Sequence, residues 1–380
     1  MTSKERRESR YKRRQAKRSQ AKIDRCDAIG GIEGAFTYRD MWRYGRRCCN
    51  GVRWKYSTQN FERHMFSITA ASRRKVLDGT WHPTKGEHFV VSERGKTREI
   101  DAPTIVDRQV EKTLTKNVLL PLYEPCMIYN NGASLQGKGF YFGQQQLKRD
   151  LRRHYRKYGK SGYVLLIDIK KYFPSASHAV IRATHRQYIY DNRLRDMADR
   201  MLEYVADGDC GQPLGVESSQ AEMVYYLSPL DNYVTCQLGY AGYGHYMDDI
   251  YVLLPPGHNP VAVRDCIAAF CHNRLRLDVN IGKTYWICLN RPFRYCKIKH
   301  WLTGTGRVKT VGSHKSLPRA CHKIKSFYKS NKQLEYVRMS LWAVMSYFNH
   351  YDDHPRRHYL LSTFGGLFHI KWDDLAAFRV

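Results

Sequence analysis

Acidic residues are scarce in this chain: 35 Asp and Glu stand against 64 Lys and Arg, a net charge of +29 over 380 residues. Such an imbalance excludes a self-neutralised surface and implies a polyanionic partner. Also missing is any apolar run long enough to cross a bilayer, and the N-terminus has no signal-peptide core, so no membrane association and no secretion are expected. The 11 Cys form no repeated Cys-x-x-Cys pairs; Cys48 and Cys49 are adjacent and the rest are scattered. Such an odd, unpatterned set fits a reducing cytoplasm better than a disulfide framework or a zinc module. What is abundant is aromatic: 28 Tyr and 7 Trp lie among the basic residues, which favours nucleic acid over a membrane surface as the polyanion. A hydrophobic content of 42% over this length allows a sizeable core and two or three subdomains.

One stretch organises the rest. Gly239 to Leu254 reads as an aromatic and apolar run, the pair Asp248-Asp249, and a second apolar run that stops at Pro255-Pro256. The pattern predicts a β-hairpin with two carboxylates at its tip. Adjacent carboxylates repel, and a fold keeps them only where a cation or solvent neutralises them. Magnesium suits oxygen ligands, although a solvated turn is the plainer reading of paired aspartates taken alone. Tyr351-Asp352-Asp353 repeats the aromatic-then-aspartates pattern without apolar flanks and reads as a solvated turn or helix start.

Upstream, Gly162 to Pro174 contains a continuous apolar run, Val164 to Ile167, ending in Asp168. It reads as a central strand covered on both faces. A lone Asp there is also a common helix N-cap. If this strand pairs beside the hairpin, Asp168, Asp248 and Asp249 converge, enough to hold two magnesium ions about 3.5–4 Å apart for in-line phosphoryl transfer.

Asp168 followed by Tyr172-Phe173, then Gly211-Gln212-Pro213-Leu214-Gly215-Val216-Glu217-Ser218-Ser219-Gln220, then Tyr246-Met247-Asp248-Asp249, resemble in order the first three palm motifs of reverse transcriptases. The resemblance extends through most of the chain. It implies an α+β right-hand polymerase with fingers, a ferredoxin-like palm sheet and a helical thumb. The expected divisions are a basic arm over 1–35, disordered when free; fingers over 36–160; palm with minor fingers elements over 161–292; a primer-grip hairpin over 293–314; and a helical thumb over 315–380. The arm has two open readings, a phosphate-binding arm or a plain solvated tail. Gly30-Gly31 reads as a linker, with the folded part starting near Phe36.

The resemblance also assigns roles. Asp168, Asp248 and Asp249 would be catalytic and, with the carbonyl of Ile169, would hold two magnesium ions, manganese being a substitute. His88 to Val91 and Thr97 to Ile100 flank a turn and read as a hairpin, whose Lys96 and Arg98 match the basic residues that fold over the incoming triphosphate. Phe173 matches the aromatic beneath the sugar that clashes with a 2′-hydroxyl, which implies deoxynucleotides. Leu214, Gly215 and Gln220 match positions around the nascent pair, and Lys283 a lysine near the leaving pyrophosphate. Each also has a plain reading, as a charged hairpin, a core aromatic, a packing residue or a surface lysine.

Leu214 stands where retroviral and retron-type enzymes commonly carry Gln, and Ser219-Gln220 matches the diversity-generating retroelement type of phages and bacteria, which copies RNA with errors. The Arg frequent in the loop at Gly132 to Gly139 is replaced by Leu135-Gln136, and the glycine usual near the start of the primer grip, here Phe293 to Ile298, is absent. The implied partners are an RNA template, a DNA or RNA primer and deoxynucleotides, with a small accessory protein left open. The implied location is the cytoplasm of a bacterium or phage-infected cell. The chain as given leaves no room for a ribonuclease H, integrase or endonuclease domain, so such activity is expected from partners. Two alternatives remain: a retron-like or phage-defence reverse transcriptase, and a non-catalytic RNA-binding protein on a polymerase scaffold.

Overall fold

The computed structural model describes residues 2–93, 96–204, 208–313, 315–330, 334–352 and 354–368. The chain forms two compact units that interleave along the sequence. One comprises Met1–Ser134, Ile169–Gln237 and Cys266–Val279, the other Leu135–Asp168, Leu238–Asp265 and Asn280–Val380.

The first unit is mainly helical. Its first element corrects the expectation of a disordered arm: Ser3–Asp27 is one helix of 25 residues. Arg, Lys, Ala, Gln and Glu are strong helix formers. A capping box between Thr2 and Glu5 starts the helix. Its last turns are anchored by buried Cys26 and by Lys22, whose ammonium lies 4.3 Å from the Tyr188 ring centroid. Gly30 and Gly31, with φ of 75° and 65°, make a tight corner rather than a loose linker. Ile32 and Ala35 beyond it are already buried, so the folded part begins before Phe36. Thr37 then caps the helix Tyr38–Cys48, which buries Met41, Tyr44 and Cys48. Met41 packs with Val110, Leu114, Leu119, Leu122, Tyr123, Leu194, Met197 and Tyr225 in one core.

The expected hairpin is present: β1 (Glu87–Glu93) pairs antiparallel with β2 (Lys96–Ala102), Val91 opposite Arg98. Its tip, Arg94-Gly95, lies outside the described residues. Pro103 and the cap Thr104 then open the helix Ile105–Leu114, which continues as a π-helical turn over Thr115–Leu119.

The second unit is built on a four-stranded antiparallel sheet in the order β4-β5-β3-β6, from β3 (Tyr163–Asp168), β4 (Tyr243–Tyr246), β5 (Asp249–Leu254) and β6 (Tyr285–Cys288). As the continuous apolar run required, β3 is central and Val164 to Ile167 are buried. Leu147 and Leu151 of the helix Phe140–Tyr158 pack against Val164, Leu166, Tyr251 and Leu253, joined by residues of the next sheet. That sheet is a meander of β7 (Phe293–Tyr295), β8 (Ile298–Leu302) and β9 (Val308–Val311). The stretch read as the primer grip is thus itself a hairpin. It turns on Cys296-Lys297, both at positive φ (46° and 70°), where Asn-Gly is usual.

Beyond it the helices Ser316–Lys329, Leu334–Asn349 and His354–Phe368 share a core of Ile324, Val337, Leu341, Met345, Phe348, Leu360 and Phe364. Asp352, read as part of a solvated turn, accepts from the Thr310 N–H (2.9 Å) and from Arg307 (3.2 Å) and so holds the end of β9. Asp353 lies outside the described residues. Among the described residues no helix is long and apolar enough to cross a membrane.

Candidate active site

The two acidic stretches meet because of strand register. In the β3–β5 ladder Asp168 lies directly opposite Asp249, and β4 closes on β5 with Tyr246 opposite Asp249. Met247 and Asp248 are therefore the two residues of a tight turn, Met247 at a φ of 52°. A positive φ suits Gly or Asn and strains a long side chain, a distortion typical of functional sites. Opposed residues of an antiparallel pair have Cα atoms about 4.5–5.5 Å apart. Asp168 and Asp249 are thus held together by the backbone itself.

The surroundings of the two carboxylates differ. Asp168 is well partnered: its Oδ2 accepts from Asn280 Nδ2 at 2.9 Å and lies 3.7 Å from Lys283 Nζ. Its backbone N–H donates to Thr284 Oγ1 (3.3 Å) and its carbonyl accepts from the Asn280 N–H (2.8 Å). Asp249 is held from the β7–β8 turn. The Tyr295 hydroxyl donates to its carbonyl (3.2 Å), and the Cys296 thiol donates to its carboxylate. Burial, then the charge of Asp248, push the Asp249 carboxyl up to about 6, with Asp168 adding to the rise; the Cys296 thiol and Lys297 act in the opposite direction.

Ile169 pairs with Val279 in an isolated antiparallel bridge. The hydrogen bonds flanking it run from Lys170 N–H to the Asp278 carbonyl and from Asn280 N–H to the Asp168 carbonyl, so the Ile169 carbonyl stays outside that pairing. Among the described residues no three His, Cys, Asp or Glu side chains form a ready metal cage. The donor chemistry nevertheless fits magnesium. The oxygens are hard, and the charges of Asp248 and Asp168 help to raise the proton affinity of Asp249, a repulsion that a divalent cation relieves.

The other predicted residues divide between two cavities of the first unit. Arg98, Phe173 and Leu214 line a cleft of about 710 Å³ with Thr97, Glu99, Asp101, Pro174 and Gln212. Its shape follows from local backbone. The Asp101 N–H donates to the Leu214 carbonyl (3.0 Å), and the Gln212 N–H to the Phe173 carbonyl (2.9 Å). Gly215 has a φ of 111°, and a Cβ there would lie 2.7 Å from the Asp101 carbonyl oxygen, so only glycine lets the strand and loop approach. That same turn parts Leu214 from its neighbours: Gly215 and Gln220 line a separate cavity of about 240 Å³. The backbone of Lys96 lies in β2, opposite Glu93; its side chain lies outside the described residues.

Asn280, Thr284, Tyr295 and Cys296 escaped the sequence reading. Asn280 and Thr284 carried a signal, since they flank Lys283 within Asn280-Ile281-Gly282-Lys283-Thr284. The Cys296 contact had none, being fixed by a turn that lacks the usual glycine.

No protein-family model and no curated protein matches this sequence. Solved structures do. Apo telomerase from Candida tropicalis aligns with a TM-score of 0.51 at 12% identity, over 80% of this chain and 62% of that one. Telomerase from Candida albicans in complex with a fragment of telomeric RNA aligns at 0.46 and 10% identity, over 78% and 61%. The RNA-dependent RNA polymerase of a human picobirnavirus aligns at 0.48 and 13% identity, over 76% and 62%. The chain thus spans about six tenths of the length of these structures. The first match, read with the palm sheet above, gives the mixed helix-and-sheet fold of nucleic-acid polymerases, as the sequence implied.

Proposed function

We propose that this chain is an RNA-directed DNA polymerase that extends a primer 3′-hydroxyl on an RNA template, in the error-prone manner of a diversity-generating retroelement. The observation that carries the reading is the register of Asp168 against Asp249, with Asp248 in the adjoining turn. Polymerisation needs charge neutralised where an attacking and a leaving oxygen pass, and this catalysis is chiefly positioning and electrostatics. Asp168, Asp248 and Asp249, with the Ile169 carbonyl, would hold the magnesium ions. Bound there, magnesium supplies the lowered pKa of the attacking hydroxyl and the countercharge for pyrophosphate.

The chain's own groups do the remainder. Asn280 and Thr284 fix Asp168, and Tyr295 and Cys296 fix Asp249, so neither carboxylate needs to reorganise. Lys283 brings a mobile positive charge to Asp168 from an exposed position suited to a departing anion. The cleft lined by Arg98, Phe173 and Leu214 receives the deoxynucleotide, with Arg98 and Lys96 on its phosphates and Phe173 against its sugar. Leu214 presents an apolar surface to the nascent pair and Gln220 stands apart from it, which accords with loose base selection. Template pairing supplies sequence specificity, and the excess of Lys and Arg binds backbone phosphates with steep salt dependence.

Primer extension on a defined RNA with magnesium and deoxynucleotides tests the proposal. Wild-type protein should extend, Asp248→Ala and Asp249→Ala should not, and both variants should bind RNA nearly as well as wild type. Extension by the variants would refute the site. Sequencing the product tests the branch: errors concentrated at template adenines support diversity generation, and an even spectrum removes it.

A further inference from the structure

Phe66 is 68% exposed, although aromatic rings are the largest apolar contributors to a core. It stands at the start of the helix Met65–Leu77 in the first unit. Two more rings lie beside it. Tyr38 and Trp42, one turn apart on the helix Tyr38–Cys48, have ring centroids 6.4 and 6.2 Å from that of Phe66, with planes tilted by only 11° and 23°. Tyr38 is exposed as well, and Trp42 is half-buried. The group is held from within the unit: Trp42 packs on the buried cluster of Cys49, Phe61 and Met65, and the Tyr38 hydroxyl donates to the Phe66 carbonyl (3.0 Å). Single exposed apolar residues are ordinary, but three contiguous rings with nearly parallel planes form the kind of patch that marks an interaction surface.

Charge narrows the partner. Arg39 and Arg46, three residues before Trp42 and four after it, share its face of the helix. The Arg46 guanidinium lies 5.1 Å from the Trp42 ring centroid. Both arginines are exposed and have no carboxylate partner among the described residues. The helix Met65–Leu77 contains no acidic residue, and the one acid of Tyr38–Cys48, Asp40, is engaged by Arg43 at 2.9 Å. A cation near a helix C-terminus is favourable in any fold, so Arg46 alone would carry nothing. Beside exposed parallel rings it completes a stacking surface with a phosphate-binding margin. Bases stack on aromatic side chains whatever their sequence, while cations follow the backbone. A duplex hides the base faces between neighbouring pairs. We propose that Tyr38, Trp42 and Phe66, with Arg39 and Arg46, bind an unpaired stretch of nucleic acid, its bases on the rings and its phosphates on the guanidinium groups. The patch lies in the first unit, and the inference holds whether or not the chain polymerises.

The test uses the full chain without magnesium or deoxynucleotides and reads fluorescence anisotropy over a series of salt concentrations. The probes are a short oligouridylate, the oligodeoxyuridylate of equal length, and an abasic deoxyribose-phosphate strand that keeps the charge and lacks the bases. Phe66→Ala should weaken binding of the base-bearing strands about 5-fold or more, the effect of losing one stacked base. It should leave the abasic strand unaffected and the salt slope unchanged, since the ring neutralises no phosphate. Phe66→Tyr keeps a ring and should bind as wild type does. Arg46→Gln should weaken all three strands and reduce the salt slope by roughly one phosphate contact. Tighter binding of the ribose strand supports the site and names RNA as its occupant; equal binding supports a site indifferent to the sugar. If Phe66→Ala proves unfolded, photocrosslinking of wild type to a 5-iodouridine strand decides: adducts on Tyr38, Trp42 or Phe66 support the site, and none on these residues overturns it. A folded Phe66→Ala that binds every strand as wild type does, or that weakens the abasic strand equally, overturns the proposal and turns the rings toward a protein partner.

Discussion

Each unit holds a cluster of carboxylates, and the two clusters are resolved in opposite ways. In the first unit His185, 1% exposed, lies between Asp199 (2.5 Å) and Glu222 (2.8 Å), and the Tyr123 hydroxyl donates to Glu222. Burial pulls the His185 pKa down, but the charge of Glu222 and hydrogen bonds to both carboxylates outweigh it and raise the imidazole to about 9. The chain thus supplies its own cation, which it encloses. In the second unit Asp168, Asp248 and Asp249 share one strand end. Lys283 lies 3.7 Å from Asp168 on a largely exposed side chain. The first cluster is a closed structural joint; the second keeps charge in reserve for something that arrives from solution.

The contrast can be broken from either side. The largest effect is expected from Asp249→Asn, which keeps shape and removes charge. Primer extension should fall on the order of 10³-fold or more, since the carboxylates act as a unit. Urea unfolding at pH 7.5 without divalent ions should show the variant more stable by up to about 3 kcal/mol, because a carboxyl raised to about 6 is a burden once ionised. A variant that is both inactive and less stable would show that Asp249 is a structural residue.

Next, His185→Leu should cost about 3–5 kcal/mol in the same unfolding measurement, because it leaves Glu222 buried, and Asp199 half-buried beside it, without a cation. Asp168→Asn should cost far less. Equal losses would erase the distinction between the clusters.

The smallest and sharpest test is pH. A histidine whose folded pKa is raised stabilises fully below its unfolded value near 6.5, and that contribution, roughly 3 kcal/mol, is lost as pH rises through about 9. Asp249 has the opposite sense. A carboxyl raised in the folded state carries no penalty below its unfolded value of 3.8 and a growing one as pH rises through about 6. The advantage of Asp249→Asn over wild type should therefore appear between pH 4 and 6. The disadvantage of His185→Leu should shrink between pH 7 and 10. Curves of unfolding free energy against pH for the three proteins check both signs.

Much of this was legible in the chain because the site is delivered by strands. Val164 to Ile167 read as a covered strand, and its end and the hairpin tip were marked by aspartates. The residues that hold the site in place were not legible. Asn280 and Cys296 reach Asp168 and Asp249 through turns whose geometry no local pattern announces, and Cys296-Lys297 turns without glycine. The helix Ser3–Asp27 was hidden for a different reason. Hydrophobic periodicity detects helices that bury a face, whereas this one is stabilised by propensity, its capping box and an anchor at Cys26. Gly215 and Gln220 lie in one motif with Leu214 yet line another space, because a single left-handed glycine turns the loop between them.

The pairing of β5 with a strand on each side has a genetic corollary. Side chains alternate along a strand, so adding or deleting one codon within 163–168 or 249–254 would send an aspartate to the wrong face of the sheet or break two ladders at once. Library selections for activity should therefore accept many conservative replacements at Val164, Leu165, Val252 or Leu253, and reject every single-codon length change in either segment.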